Sequence, residues 1–507
     1  MSASREKKQR QGAGPSNQEI LAQEKAAAYK NKVRHYTIIG VVIAVLVVLL
    51  LVWNSGLIQR NQTAATVGST EYSVNDVNYF YQSAKYNTNY IYYMYGMTPP
   101  ADDAVMNEET GETYRDYYLE QTMASLTELT ALYDDAVSAG YNTADVADTV
   151  STQIKEAKEY ASTMGYSYSA FLKAQYGRYM TPAAYKSILT KSALVDLYYT
   201  DYSDTLVYDD SALEAYYEEN KDSLDTFDYS YLYFVGEDIK DENLSEAEIA
   251  ELELQSLAQM KILAEKAFAS VQDGVSLAEL AETHPDAKLG ENIQTVGGSL
   301  SSVYGEELKK LAEGESVLVE NKNTGFYVIT LNSRGLSDKT AVDVRHILIN
   351  AETTTNEAGA VVAPSEEAWN TALTEIEKVK AEYLSGDKSE ESFAALAEKY
   401  STDGGSNTNG GLYTGVTQGN FVAEFDSWLF DQTHNVGDVE IIKHAAAEDD
   451  GNKYYGYHLA YYAGENLVWK NTASSALRST DLTEWVDSLM ANYESCEYTA
   501  AVKYVAE

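Results

Sequence analysis

A single cysteine, Cys496, stands in a chain of 507 residues. An intrachain disulfide is therefore excluded, and so are a thiolate zinc cluster and a haem-attachment motif. Basic residues are scarce: 37 Lys and Arg face 78 Asp and Glu, for a formal net charge of -41. Phosphates recruit Lys and Arg, so nucleic acid is not an expected partner. The surplus acid reads either as a solvated surface or as a preference for basic clients or bound cations. Histidines number six. Four of them, His35, His284, His434 and His444, show no metal-ligand spacing with carboxylates, so neither metal nor cofactor is expected. A phosphate loop, a nucleophile elbow and a dinucleotide fingerprint are all missing.

What is present begins with length. At 507 residues the chain exceeds one core, and three or four domains are expected. Residues 37–53 carry no charge; as a helix they extend about 26 Å, close to the hydrocarbon thickness of a bilayer. Tyr36 and Trp53 suit its two interfaces. Residues 1–35 hold eight Lys/Arg and three Asp/Glu, so the positive-inside bias places them in the cytoplasm and everything after Trp53 outside. A cleaved signal peptide is the competing reading; the long basic leader and the length of the apolar run favour an uncleaved anchor. A polar linker, 54–64, follows.

Residues 65–225 read as a mainly helical domain. Ala65 to Val74 gives two short strands around a turn, then a helix from Val74. Leu119, Met123, Leu126, Thr130, Tyr133 and Val137 form one stripe, with Gly140 as a stop. Thr143 is expected to cap the next helix, and Thr181-Pro182 to open another. Tyrosines number 43 against 10 Phe, and many crowd between Tyr72 and Tyr118, including Tyr90, Tyr92, Tyr93 and Tyr95. They read either as helix packing with wet hydroxyls or as a surface that holds unfolded polypeptide.

Val342 to Ile349 and Gly456 to Tyr462 read as strands, each with one histidine, His346 and His458. Between them lie an amphipathic helix (Trp369 to Leu384), a helix with Phe393, Leu396 and Ala397 inward, and a Gly-rich loop. In order the chain carries R-H-I-L-I at 345–349, F-x-x-L-A-x-x-Y-S-x-D at 393–403, G-G-L at 410–412, G-x-F-V-x-E-F at 419–425 and G-Y-H at 456–458. This succession resembles the parvulin family of peptidyl-prolyl isomerases. More loosely, Leu213 to Asp222 and the Ala65 to Val77 opening resemble PrsA/SurA-type foldases. The fold class so implied is α+β multidomain: an N-terminal transmembrane helix (36–53), a SurA/PrsA-like chaperone domain (65–225), two parvulin-like domains and a C-terminal helix (471–507) that returns to the chaperone domain. The two are the isomerase domain at 336–470 and a first copy at 226–335. An internal repeat supports the latter: Asp228 to Tyr233 lines up with Asp343 to Leu348, and Gly325-Phe326-Tyr327-Val328 with Gly456 to Leu459. Tyrosine stands where both histidines would be, so the first copy is read as degenerate.

The resemblance assigns Leu412, Phe421 and Phe425 to a proline pocket, and His346, His458 and Asp403 to the catalytic floor. Phe421 and Phe425, four apart, share a helical face, although core packing also explains Phe425. The histidines read as acid–base or as structural. Asp403 either polarises the site through them or caps the Gly404-Gly405 turn. Three departures stand out. One extra residue lies between Leu412 and Gly419, Phe421 replaces the commoner Met, and the segment Lys443 to Tyr455, with Glu448-Asp449-Asp450, replaces a turn that usually brings a hydroxyl near the histidines. Expected partners are unfolded or partly folded secreted polypeptides with X-Pro segments, and the membrane through the N-terminal helix; a homodimer stays open. The expected function is a prolyl isomerase and extracytoplasmic folding factor. The alternatives are an ATP-independent holdase and an envelope adaptor for one folded partner.

Overall fold

The first element is a helix with an exposed apolar stretch. Helix α1, Asn17–Asn54, contains an apolar stretch, Lys32–Asn54, long enough to cross a membrane and with none of it buried. The computed structural model describes residues 17–241, 243–356, 359–431, 433–446, 454–493 and 496–506. The first 16 residues of the basic leader and the Glu448-Asp449-Asp450 run lie outside these. Two compact units are distinguished: Met1–Leu206 with Thr480–Glu507, and Val207–Ser479.

In the first unit the expected polar linker is instead fastened. Gln59 is buried and its amide donates to the Trp53 carbonyl. Gly56 has φ +70°, and any side chain there would overlap the Tyr179 ring. Strands β1, Thr63–Val67, and β2, Thr70–Ser73, pair antiparallel, and the strand Cys496–Tyr498 adds to the free edge of β1. Helix α2, Val74–Met94, starts on a capping box in which Ser73 and Asp76 satisfy each other's backbone amides. Thr113 and Asp116 do the same for α3, Tyr114–Ser138. The buried stripe of α3 is Tyr118, Thr122, Leu126, Leu129 and Leu132, whereas Val137 is exposed, so the expected stripe drifts out of the core at its end. Helix α4, Ala147–Thr163, begins later than Thr143 because Asn142 and Asp145 close a side-chain turn first. Helices α5, Tyr168–Tyr176, and α6, Pro182–Thr205, follow, the latter capped by Thr181 with proline in its first turn. From the chain's end, Trp485 stacks on Tyr202 at 3.8 Å between ring centres.

The second unit holds two four-stranded antiparallel sheets of the same order. In the first, β3 (Thr226–Val235), β4 (Lys288–Val296), β5 (Ser316–Asn321) and β6 (Gly325–Gly335) run β4-β3-β6-β5. Helix α7, Glu246–Gln272, connects β3 towards β4. In the second, β7 (Thr340–Asn350), β8 (Leu412–Val416), β9 (Val439–Ala445) and β10 (Tyr455–Leu467) run β8-β7-β10-β9. Helices α8, Glu366–Ser385, and α9, Glu390–Tyr400, lie between β7 and β8 in the chain. They cover one face of the second sheet, burying Ile376, Val379, Phe393 and Ala397 against Ile347, Leu459 and Tyr461. The short helix α10, Ala423–Leu429, covers the other face with Phe425 and Leu429 against Val342, Val344, Ile442 and Ala460. The helix α11, Val468–Met490, follows β10 and starts close to the expected 471.

Candidate active site

Side chains alternate along a strand, and partners in an antiparallel pair share a face. His346 is paired with Ala460, and His458 with Leu348. Both imidazoles therefore emerge on the α10 side, on neighbouring strands. They meet edge to edge, Nδ1 to Nδ1 at 3.0 Å, with rings only 12° from parallel. Both residues are almost fully enclosed, at 4% and 3% exposure.

Asp403 comes from the loop after α9. Its Oδ2 takes His346 Nε2 at 3.0 Å, the Ser406 hydroxyl at 2.6 Å and the Tyr413 phenol at 3.0 Å. The hydrogen bond from His346, helped by those from Ser406 and Tyr413, holds the Asp403 carboxyl well below the usual carboxylate range, against the opposing effect of burial. Burial, reinforced by the neighbouring His346 and His444, pushes His458 down to about 3. A carboxylate only accepts, so His346 must donate to it from Nε2. His458 Nδ1 and His346 Nδ1 share one hydrogen bond, and the Tyr454 hydroxyl lies 3.3 Å from His458 Nε2. The floor is thus one continuous chain of hydrogen bonds from Tyr454 to Asp403.

The glycines explain how the loop reaches the floor. Gly410 and Gly411 have φ of +70° and +74°, and the Gly411 backbone lies so close to His346 that a side chain would strike the His346 carbonyl. The His346 amide donates to the Gly411 carbonyl at 2.8 Å. Two carboxylates then pin the segment carrying Phe421. Asp343 accepts from the Gly415 amide at 2.7 Å, and Asp426 accepts from the Gly419 amide at 2.9 Å.

Of the three expected pocket residues, two converge. Phe421 and Phe425 lie 4.7 Å apart by ring centre, and Phe425 sits 5.7 Å from His346 and 5.3 Å from His458. Phe425 is fully enclosed and is also a core residue, while Phe421 is half-buried and faces outward over it. Leu412 does not join them. It pairs with Arg345, whose side chain reaches Glu390 of α9, so Leu412 belongs to the opposite face of the sheet. Tyr413 takes its place, with its ring 5.4 Å from His346 and 5.3 Å from Phe421. Counting from Tyr413 also removes the extra residue before Gly419.

Nor is the hydroxyl lost with the altered turn: Tyr454 supplies it. Its ring lies 4.4 Å from His444, which in turn approaches Glu424 of α10 at 3.4 Å. Tyr413, Ser406 and Tyr454 were all missed from the sequence. Only the one-residue excess in the loop pointed to Tyr413, and nothing pointed to the other two. Among the described residues no group of three or more His, Cys, Asp or Glu could hold a metal ion.

The profile of the PPIC-type PPIASE domain family matches residues 330–447, which include His346 and Asp403 but end before His458. Chaperone SurA from Hahella chejuensis (strain KCTC 2396) is 30% identical over 176 residues, 32% of this chain and 36% of that protein. The chain thus spans about a third of the length of that curated relative. Among solved structures, foldase protein PrsA from Streptococcus pneumoniae str. Canada MDR_19A is 12% identical, with a TM-score of 0.22 over 79% of this chain and 97% of that one. The peptidylprolyl isomerase PrsA from Bacillus anthracis is 18% identical, with a TM-score of 0.17 over 31% and 58%. By the family match over 330–447, and with the paired histidines, the carboxylate and the phenylalanine-bearing α10 gathered on one sheet face, this chain carries a PPIC-type parvulin domain.

Proposed function

We propose that the protein is a peptidyl-prolyl cis/trans isomerase and extracytoplasmic folding factor, held to the membrane by α1 and acting on unfolded or partly folded secreted chains. The observation that carries this reading is the unbroken hydrogen-bond chain Tyr454–His458–His346–Asp403 beneath Tyr413, Phe421 and Phe425. Rotation of an X–Pro bond faces a barrier of about 18–20 kcal/mol that comes from amide resonance. It is slow enough to limit folding. Neither nucleophile nor metal is needed to lower it. Phe421, with Tyr413 beside it, offers the pyrrolidine an apolar wall. The fixed charge of Asp403 opposes the partial negative charge that conjugation puts on the substrate carbonyl. That charge falls as the amide twists, so the site favours the transition state over the planar ground state. The histidines hold the carboxylate and the wall in register and transfer no proton.

In this reading 226–335 is a second parvulin-like domain without isomerase activity, 65–225 is the chaperone domain, and 471–507 completes it. One observation favours an ATP-independent holdase instead: Phe425 is wholly enclosed, which leaves Phe421 and Tyr413 as the accessible wall. Proline-limited refolding of a model client separates the two. The isomerase reading expects acceleration by the full chain that His346→Ala and Asp403→Ala strongly reduce. Suppressed aggregation with unchanged slow phases would establish the holdase.

A further inference from the structure

In a chain of net charge -41, one stretch is basic. From the start of α4 to Lys191, six Lys and Arg face three acids, Asp148, Glu156 and Glu159. Lys191 is half-buried, its ammonium lying over the rings of Tyr72 and Tyr133. The other five, Lys155, Lys158, Lys173, Arg178 and Lys186, are exposed. Helices α4, α5 and α6 share one core, with Val150, Leu172 and Ile188 buried together, so these cations belong to one packed body. Lys155 and Lys158 of α4 and Lys186 of α6 converge on a cavity of about 800 Å³, which Ser151, Tyr168 and Glu159 also line. Glu159 approaches Lys155 at 3.9 Å, and both are well exposed, so little of the positive charge is neutralised. The Lys158 ammonium stands 5.5 Å from the centre of the Tyr168 ring, and the Tyr168 hydroxyl is buried with no hydrogen-bond partner among the described residues. A cavity that gathers lysines around an unsatisfied hydroxyl is complementary to a phosphate group, which brings negative charge and several acceptors at once.

The anchor selects the source of that phosphate. Arg178 lies over the ring of Tyr179 at 5.0 Å, and the same ring abuts Gly56. Gly56 follows Asn54, the end of α1, by two residues, and Pro182, which lines the cavity, follows Tyr179 by three. A chain advances at most about 3.6 Å per residue, so Gly56 stays within about 7 Å of Asn54 and Pro182 within about 11 Å of Tyr179. The basic face is therefore fastened a short distance from the end of the apolar stretch of α1. Phospholipid headgroups are then always present at high effective concentration, whereas free anions, acidic polypeptides and second copies have to arrive by diffusion. Clustered Lys and Arg close to a bilayer are drawn to its anionic lipids.

We infer that the face of α4–α6 carrying Lys155, Lys158, Arg178 and Lys186 docks on anionic phospholipid beside the anchor, with a headgroup phosphate seated in the cavity. The inference rests on the anchored reading of α1 and not on the histidine site. The test places the full chain in nanodiscs of phosphatidylcholine, with or without phosphatidylglycerol, and measures how fast each lysine reacts with an uncharged acylating reagent. Lys155, Lys158 and Lys186 are expected to react about tenfold more slowly in the phosphatidylglycerol discs and to recover at high salt. The exposed Lys261 and Lys288 of the second unit serve as controls and should react equally in both. The double variant Lys158→Gln/Lys186→Gln should return Lys155 to its rate in phosphatidylcholine, with the control lysines unchanged as a check on folding. Equal rates for Lys155, Lys158 and Lys186 in the two discs, or protection of Lys155 that survives the double variant, would overturn the inference. So would equal protection in phosphatidylcholine discs by inorganic phosphate or an acidic peptide, or protection that grows with the number of chains per disc. Those results would assign the cavity to a free anion, a polypeptide or a second copy. Chains that alkali washes from the membrane, yet that phosphatidylglycerol protects, would sink the anchored reading alone.

Discussion

The two sheets of the second unit share strand order and register but differ in what they bring together. Tyr231 lies opposite Ile329 and Tyr233 opposite Tyr327, just as His346 lies opposite Ala460 and Leu348 opposite His458. Where the second sheet carries imidazoles, the first stacks Tyr233 on Tyr327 at 4.0 Å and joins Tyr229 to Tyr304 through their hydroxyls at 3.0 Å. An imidazole has nitrogens on two edges and passes a hydrogen bond onward. A phenol donates and accepts only at the one oxygen at its tip, so it does not carry the link across its ring. In the first sheet Asp228 instead accepts from the exposed side chains of Asn332 and Gln294. One topology therefore supports either a continuous polar floor or an aromatic cluster, and the choice lies in two strand positions and one loop.

The sharpest way to break this comparison is to remove what only the second sheet has. Phe425→Ala empties a fully enclosed ring site and is expected to cost about 3–5 kcal/mol in chemical denaturation of that sheet. Phe421→Ala, at a half-buried position, should cost far less stability while raising KM for X–Pro peptides. Asp403→Ala removes the acceptor shared by three donors and is expected to lower kcat/KM about a hundredfold, or about 2.7 kcal/mol. Tyr304→Phe, beside the first sheet, should leave that rate unchanged.

Acid offers a graded test. His458 has an ordinary value of 6.5 and is held down to about 3. The unfolded chain therefore binds a proton there between these limits and the folded chain does not. The stability His458 contributes is complete above pH 6.5 and is lost as pH falls towards 3, with a slope of at most about 1.4 kcal/mol per pH unit. Denaturation midpoints between pH 7 and 4 should fall less steeply in His458→Gln. Tyr454→Phe removes one neutral hydrogen bond of about 0.5–1.5 kcal/mol. It should slow isomerisation roughly two- to tenfold and change the ¹⁵N signature of the His458 tautomer. An unchanged signature would show that Tyr454 does not set the proton positions. The smallest effect is expected from Tyr231→His/Tyr327→His, which restores both imidazoles to the first sheet without a carboxylate and should yield no measurable isomerase activity.

Much of this arrangement is legible in the chain. Strand alternation identifies β7 and β10, and it puts both histidines on one face once their pairing is known. The G-G step announces a backbone that must pass close to a strand, and Gly411 against the His346 carbonyl is the reason. Alternation also makes small errors costly. Starting the loop one residue early at Leu412 instead of Tyr413 selects the wrong face of the sheet. Tyr454 is illegible for another reason. It precedes its strand, where no periodicity applies, and nothing in the sequence signals that its hydroxyl reaches His458 four residues on. The tyrosine-rich stretch was ambiguous because composition does not distinguish rings that pack from rings that do not: Tyr81 and Tyr118 are buried, whereas Tyr90, Tyr93 and Tyr95 are exposed.

The junction at Gly56 has a mechanical consequence. Residues 55–62 separate the end of α1 from β1, and they are packed against the folded unit through Gln59 and the Tyr179 ring. In the anchored reading this is a bracket and not a cord, so the N-terminal unit cannot roam far from the lipid surface. Its encounters would be confined to a thin layer where newly exported chains emerge. There, crowding of the tethered copies sets the local concentration, whatever their dilution in the surrounding space.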